Sequence, residues 1–172
     1  MIIESIGDTK RISGKTMTNK IIEEGTWFAV PLRSHGFVAG VAARTSSGGR
    51  VILAYFFSAV WSNPPLLSDV KTLTPKSAVR VLRVGDLGLV DGNWIILGRD
   101  PGWRRDDWEM PQFERRDDVS RRSWIVQYSD HDASIIESET PAAYKTELGR
   151  DSVFGAGAAE IELTELVNRM RS

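Results

Sequence analysis

A chain of 172 residues is long enough to bury one well-formed core, and its 41% hydrophobic and 26% charged content excludes general disorder. The formal net charge of −1, from 22 basic and 23 acidic residues, gives no electrostatic basis for binding nucleic acid or anionic membranes. The sequence contains no cysteine, which excludes disulfides and thiolate nucleophiles and fits a reducing compartment.

The N-terminal stretch MIIESIGDTKRISGKTMTNK is polar and lacks the apolar core of a secretory signal. We predict that residues 1–20 form a polar leader and that residues 21–172 form a single domain. The longest apolar run, residues 51–57, is much too short to span a bilayer. These features together predict a cytoplasmic location.

Three short strands are predicted at residues 26–32, 37–44 and 51–57, because these runs are apolar and rich in branched and aromatic side chains. Tight turns separate them, including the segment Ser46-Ser47-Gly48-Gly49. Short strands joined by tight turns indicate an antiparallel meander. We therefore predict an α+β fold built on a strongly curled antiparallel sheet, an SH3-like, partly open barrel.

The second half of the chain is predicted to alternate strands with short helices. A short helix is expected at 66–73, a strand at 94–98, a hairpin formed by 123–128 and 133–137, and a second short helix at 141–148. Residues 75–85 fit a helix start at Pro75 and a stop at Gly85, but Val79, Val81 and Val84 favour a strand. Residues 157–170 carry apolar side chains at helical spacing, which predicts an amphipathic C-terminal helix packed on the sheet.

Residues 94–124, WIILGRDPGWRRDDWEMPQFERRDDVSRRSW, are the most unusual stretch of the chain. From residue 99 onward the stretch holds seven arginines and seven acidic residues, and a phosphate-binding strip would not carry an equal load of acid. Exposed tryptophan together with arginine is typical of protein interfaces, which tolerate mixed charge. The stretch therefore favours protein recognition over nucleic-acid binding.

The spacing of Trp103, Trp108 and Phe113 fits neither a strand nor a helix, and it predicts an irregular loop. Two interpretations of these aromatic residues remain open. They either fasten the loop to the core or lie exposed as contact residues. In both cases the loop presents its charges in a fixed arrangement.

No catalytic motif, dinucleotide fingerprint or phosphate loop occurs in the sequence, and we predict no enzyme activity, no cofactor and no metal site. One rival hypothesis is a small hydrolase or ligand-binding domain that uses the mouth of the curled sheet. Its candidate residues are His35, Asp86 and His131. A concave pocket holding one of the histidines beside a carboxylate would favour it.

The sequence resembles the immunity protein 26 family, small α+β proteins from bacterial polymorphic-toxin loci. Segments spread over residues 22–170 carry the resemblance: GTWFAVPL (25–32), GFVAGV (36–41), YFF (55–57), GDLGL (85–89), GNWIILG (92–98), WEMPQF (108–113), GAG (155–157) and EIELT (160–164). The resemblance implies a protein that binds and neutralises a cognate toxin. It supplies no catalytic residues.

The partner-facing residues are predicted from the two Arg-Arg/Asp-Asp groups and the tryptophan beside the first group. The predicted contact residues are Arg104, Arg105, Asp106, Asp107, Trp108, Arg115, Arg116, Asp117 and Asp118. The expected partner is the toxin protein, with neither nucleic acid nor membrane involved. The sequence does not decide whether the acids or the arginines dominate the contact.

Overall fold

The computed structural model describes residues 22–172, so the predicted leader at 1–20 lies outside the described residues. Ten strands and three α-helices follow one another along this part of the chain. The strands are β1 (Thr26–Pro31), β2 (Phe37–Arg44), β3 (Val51–Phe56), β4 (Arg80–Gly85), β5 (Ile95–Arg99), β6 (Phe113–Asp117), β7 (Arg122–Ser129), β8 (Asp132–Ala142), β9 (Gly149–Arg150) and β10 (Val153–Phe154). The helices are α1 (Leu67–Val70), α2 (Leu87–Val90) and α3 (Ala156–Arg171).

The strands form two separate sheets. A six-stranded sheet has the order β10-β4-β3-β2-β1-β5, and a four-stranded sheet has the order β8-β7-β6-β9. All neighbours are antiparallel except two short parallel pairs, β10 with β4 and β9 with β6. The α+β class is confirmed, but the SH3-like barrel is not, because among residues 22–172 β10 and β5 form the two edges of an open sheet.

Both faces of the six-stranded sheet are covered. On one face Phe28 and Phe56 pack with Trp94 and with α3 in the first core cluster. On the other face Trp27 and Tyr55 pack against the four-stranded sheet and Trp108 in the second cluster. A strand buried on both faces carries apolar residues continuously, and this explains the apolar runs of β1 to β3 without any barrel closure.

Helix α3 confirms the predicted C-terminal helix, although its buried face differs in detail. Ala159, Leu163 and Val167 are buried, at the four-residue spacing of one helix face. The apolar side chain of Ile161 is exposed. Glu160, although acidic, faces the core side, where its Oε2 accepts a 3.0 Å hydrogen bond from Nε1 of Trp94.

Arg83 of β4 joins the two sheets. Its guanidinium is buried and lies 3.6 Å from the centre of the Tyr128 ring on β7. Nε donates to the Ala133 carbonyl at 2.8 Å, and Nη1 donates to Asp151 at 3.3 Å. Burial and the hydrogen bond to Asp151 raise the pKa of Tyr128 to about 12, so the ring stays neutral beside the cation.

Several local predictions need correction. The irregular loop predicted around Trp103, Trp108 and Phe113 is present over residues 100–112, but β6 begins at Phe113 and pairs with β7 from Phe113↔Val126 to Asp117↔Arg122. No helix forms at 141–148, because β8 continues to Ala142 and bends follow it. The helix expected at 66–73 shrinks to α1, while the favoured strand at 75–85 appears as β4 after a 3₁₀ turn at Pro75–Ser77.

In the described part of the chain, none of the helices combines the length and the apolarity that a bilayer-spanning segment requires.

Candidate protein-binding surface

Trp108 fastens the charged segment to the core. Its side chain is only 4% exposed, and its ring meets Tyr55 edge-on at 5.0 Å and Trp27 edge-on at 5.9 Å between centroids. Trp103 is half-buried and stacks on Trp108 at 6.2 Å, and Phe113 is buried. Core anchoring is therefore the correct interpretation for Trp108 and Phe113. This burial argues against the place of Trp108 among the predicted contact residues.

The side chain of Arg105 is also held by contacts within the fold. Its Nε donates to Oε2 of Glu24 at 2.9 Å, and its Nη1 donates to Oδ2 of Asp130 at 2.6 Å. Buried Arg44 donates to the other oxygen of Asp130 at 2.8 Å. Partial burial opposes ionisation of Asp130, but these hydrogen bonds prevail and lower its pKa. Arg105 thus ties the segment to the start of β1 and to the β7–β8 turn.

Residues 104–109, which include the two anchors Arg105 and Trp108, form a short structure that we call the ridge. A 3₁₀ turn spans Arg105–Asp107 within it. Arg104, Asp106, Asp107 and Glu109 are exposed, and none of them forms an ion pair with another residue in the described range 22–172. The ridge therefore displays one positive and three negative charges without internal neutralisation.

A cleft lies on each side of the ridge. The larger one, of about 380 Å³, is lined by Asp106 and Glu109 of the ridge, by Glu137 of β8, and by Asp130 with its ion-pair partner Arg44, so its charged lining is mostly acidic. We call it the acidic cleft. The smaller one, of about 180 Å³, is lined by the remaining two exposed ridge residues, Arg104 and Asp107, together with Lys71, Pro75, Trp103 and others. The ridge therefore directs its charges into two recesses of different character.

The second predicted group, residues 115–118, behaves differently from the first. Arg115 contacts Glu139 of β8 and lies 5.8 Å from the Trp124 ring centre. Arg116 lies 2.9 Å from Asp118 and 3.4 Å from buried Glu114. The strand β6 thus directs its arginines into pairs with neighbouring side chains.

The two aspartates of this group also serve local structure. Asp117 accepts hydrogen bonds from the backbone N–H of Val119 at 2.9 Å and the hydroxyl of Ser120 at 2.7 Å, an Asx-type turn between β6 and β7. These bonds, that of the Ser120 hydroxyl foremost, lower the pKa of Asp117. Asp118 accepts a 2.6 Å bond from the Tyr144 hydroxyl. Residues 115–118 therefore stabilise the second sheet, whereas the ridge keeps free charges.

The rival hydrolase site receives no support from the clefts. His35 and His131 lie exposed in the β1–β2 and β7–β8 turns, and neither lines the two clefts beside the ridge. Asp86, the third candidate of that hypothesis, lies at the start of α2, where its backbone carbonyl accepts a hydrogen bond from the N–H of Leu89. Among residues 22–172 no group of three or more histidine or carboxylate side chains is arranged to hold a metal ion.

Sequence reasoning missed Glu137, Asp130 and Glu24. Glu137 is 28 positions from Glu109 and reaches the same cleft only because β8 folds back along β7. The polar link Ser129-Asp130-His131-Asp132 predicts a turn, and nothing in its sequence places Asp130 beside the ridge. Only the tertiary fold reveals that its first aspartate holds the ridge.

Comparison with known proteins gives a direct result for the family. The family model described as immunity protein 26 matches residues 23–125, which span β1 to the first half of β7 and include the whole ridge. No curated protein and no solved structure matched the chain. The match covers more than half of the chain and confirms the resemblance over its first part. The chain therefore belongs to the immunity protein 26 family.

Proposed function

We propose that this protein is an immunity protein of a bacterial polymorphic-toxin system, which binds its cognate toxin in the cytoplasm and neutralises it without catalysis. Membership of the immunity protein 26 family supports the toxin as partner. We choose the ridge as the binding surface because its four exposed charges have no ionic partner among the described residues. Of the predicted contact residues, Arg104, Asp106 and Asp107 remain in the proposal, and Glu109 joins them.

The anchoring of the ridge favours tight binding. Trp108 lies in the core, and Arg105 is held by Glu24 and Asp130, so the backbone that carries the free charges is fixed before the toxin arrives. A preorganised surface loses less conformational entropy on association than a mobile loop does. The displayed charges then set the orientation and the rate of encounter.

Co-expression with the toxin domain encoded beside this gene tests the proposal. The wild-type chain is expected to restore growth and to co-purify with the toxin. The double variant Arg104→Gln/Asp106→Asn leaves the net charge unchanged and should weaken binding by at least about tenfold, which corresponds to about 1.4 kcal/mol.

A matched control is available on the exposed side of α3. Arg169→Gln/Glu165→Gln removes the same two charge types from exposed positions and should keep the wild-type affinity. Equal affinity of the ridge and control variants would remove the ridge from the contact. Failure of the wild-type chain to neutralise any toxin encoded nearby would overturn the proposed function itself.

A further inference from the structure

Strand β8 is an unusually long and open sheet edge. It runs for 11 residues, Asp132–Ala142, against a usual strand length of about 5–6 residues. Within the described residues its only neighbouring strand is β7, although the N–H of Ala133 at its start donates to the Thr45 carbonyl, and every residue from 134 to 141 is exposed. Ile135 and Ile136 are 53% and 41% exposed. Natural proteins usually shorten or cover such an edge, because its backbone groups are ready to pair with another strand.

Pro141 indicates which backbone groups point away from β7. It lies opposite Trp124 and has no N–H, and proline is accommodated at sheet edges where its nitrogen faces outward. Outward and inward residues alternate in an antiparallel ladder. Two positions earlier, Glu139 therefore directs its backbone N–H and C=O away from β7.

The composition of β8 argues against a second copy of this chain as the occupant. The strand contains three acidic residues, Asp132, Glu137 and Glu139, and no basic one. Every charged side chain that two paired copies of β8 would bring together is acidic, and like charges on facing strands destabilise a sheet. A strand that carries basic residues has the complementary charge.

The acidic cleft offers a specific binding place for a basic side chain of such a strand. Glu137 of β8 lines it together with Asp106 and Glu109 of the ridge, so the ridge and the strand edge meet at one recess. None of these three carboxylates has an ionic partner within residues 22–172. A lysine or arginine of a bound strand would find three unneutralised acids there.

We propose that the toxin adds an extended segment to the outer edge of β8 and inserts a basic side chain into the acidic cleft. This inference rests on the proposed function and names the mode of the same contact: backbone hydrogen bonds at the edge supply affinity, and the cleft supplies specificity. The partner is thus a toxin with an exposed, lysine- or arginine-bearing strand.

Two substitutions of Glu139 distinguish the contribution of its backbone N–H to binding from that of its side chain. Glu139→Gln removes the contact with Arg115 but keeps the outward N–H, whereas Glu139→Pro removes both. With the toxin domain of the neighbouring gene as the probe, Glu139→Pro should bind at least about tenfold more weakly than Glu139→Gln. Equal affinities of two folded variants would overturn the inference.

Hydrogen exchange on the wild-type complex provides a measurement that does not depend on the folding of a variant. Amides of residues 135–140 that point outward should exchange more slowly when the toxin is bound. Unchanged exchange along β8 in a complex that still neutralises the toxin would overturn the inference and leave the proposed function intact. Protection that arises from self-association of the free chain would also overturn it, and absence of any toxin binding would reject both proposals.

The cleft is tested by charge. Glu137→Gln/Glu109→Gln should weaken toxin binding and reduce its dependence on salt, because two of the unneutralised acids are lost. The same double substitution at Glu147 and Glu165, exposed acids that line neither cleft, is the control. Equal effects of the two double variants would show that only the overall charge matters.

Discussion

Arg105 and Asp130 are joined by a 2.6 Å hydrogen bond between Nη1 and Oδ2, across 25 positions of the chain. The bond connects the ridge to the turn from which β8 begins. Asp130 itself lines the cleft that Asp106 of the ridge shares with Glu137 of β8, so this contact lies at the acidic cleft.

The two partners of this bond should contribute unequally to stability. Arg105→Gln is expected to lower the free energy of unfolding by about 0.5–1 kcal/mol, the range of a partly exposed ion pair. Asp130→Asn should cost more, about 2–3 kcal/mol, because it also removes the carboxylate from buried Arg44. Urea denaturation of both variants measures the difference. Equal losses would show that Arg44 does not depend on Asp130.

Trp108 should behave as a core residue. Trp108→Ala is expected to lower the free energy of unfolding by about 3–5 kcal/mol, because it empties a site lined by Trp27, Tyr55 and Phe57. Arg104→Ala, on the ridge surface, should change it by less than about 0.5 kcal/mol. Thermal denaturation of the free protein compares them. A Trp108 variant with wild-type stability would contradict the anchoring role.

Gly40 should not tolerate a side chain. An alanine Cβ at this position of β2 would lie 2.6 Å from Cε2 of Phe28 and 3.1 Å from Cδ1 of Phe56. Gly40→Ala should therefore lower the free energy of unfolding by about 1–3 kcal/mol. Gly48→Ala is the matched control, since a Cβ there meets no atom within 4 Å. Similar effects of the two substitutions in urea denaturation would argue against the steric explanation.

Asp132 should make the free energy of unfolding depend on pH in the acidic range. Hydrogen bonds from Ser134 and from the backbone N–H of Ser47 hold the pKa of this buried carboxyl well below its ordinary value. A group whose pKa is lowered by folding adds stability above its unfolded pKa, about 3.9, and loses this contribution as the pH falls toward the native value.

Free energies of unfolding at pH 3 to 7 test this prediction in the wild type and in Asp132→Asn. The wild type should exceed the variant by a constant amount above about pH 5, and the difference should shrink below about pH 4. The matched substitution Asp91→Asn, in an exposed turn, should leave the profile unchanged. A difference that stays constant down to pH 3 would mean that the carboxylate charge is not responsible.

The strands β1 to β3 were predictable from the sequence because their side chains carry a strong local signal. The predicted barrel is not confirmed, because a strand covered on both faces and a strand in a small barrel share the same apolar composition. Covering of the second face depends on Trp108 and Phe113, which are distant in the chain. No local pattern reports that contact.

Local sequence patterns did not reveal the strand β6 or the end of β8 at residues 141–142. Phe113–Asp117 is mostly charged, yet it forms a strand because Arg115 and Arg116 find partners beside it. Pro141 suggested a helix start, but the same residue fits the exposed edge of β8. The ridge charges were predictable from composition, whereas the acidic cleft needs Glu137, which only the pairing of β8 with β7 brings near.

The segment 149–154 connects the two sheets and so affects how short the chain can be and still fold independently. Its first two residues pair with β6 in one sheet, its last two pair with β4 in the other, and the carboxylate of Asp151 between them holds Arg83. The family match ends at residue 125, inside β7 and before this segment. A fragment that stops there would lose half of β7, the partner of Arg83 and the helix over Trp94. The family signature and the autonomous folding unit are therefore different lengths of this chain.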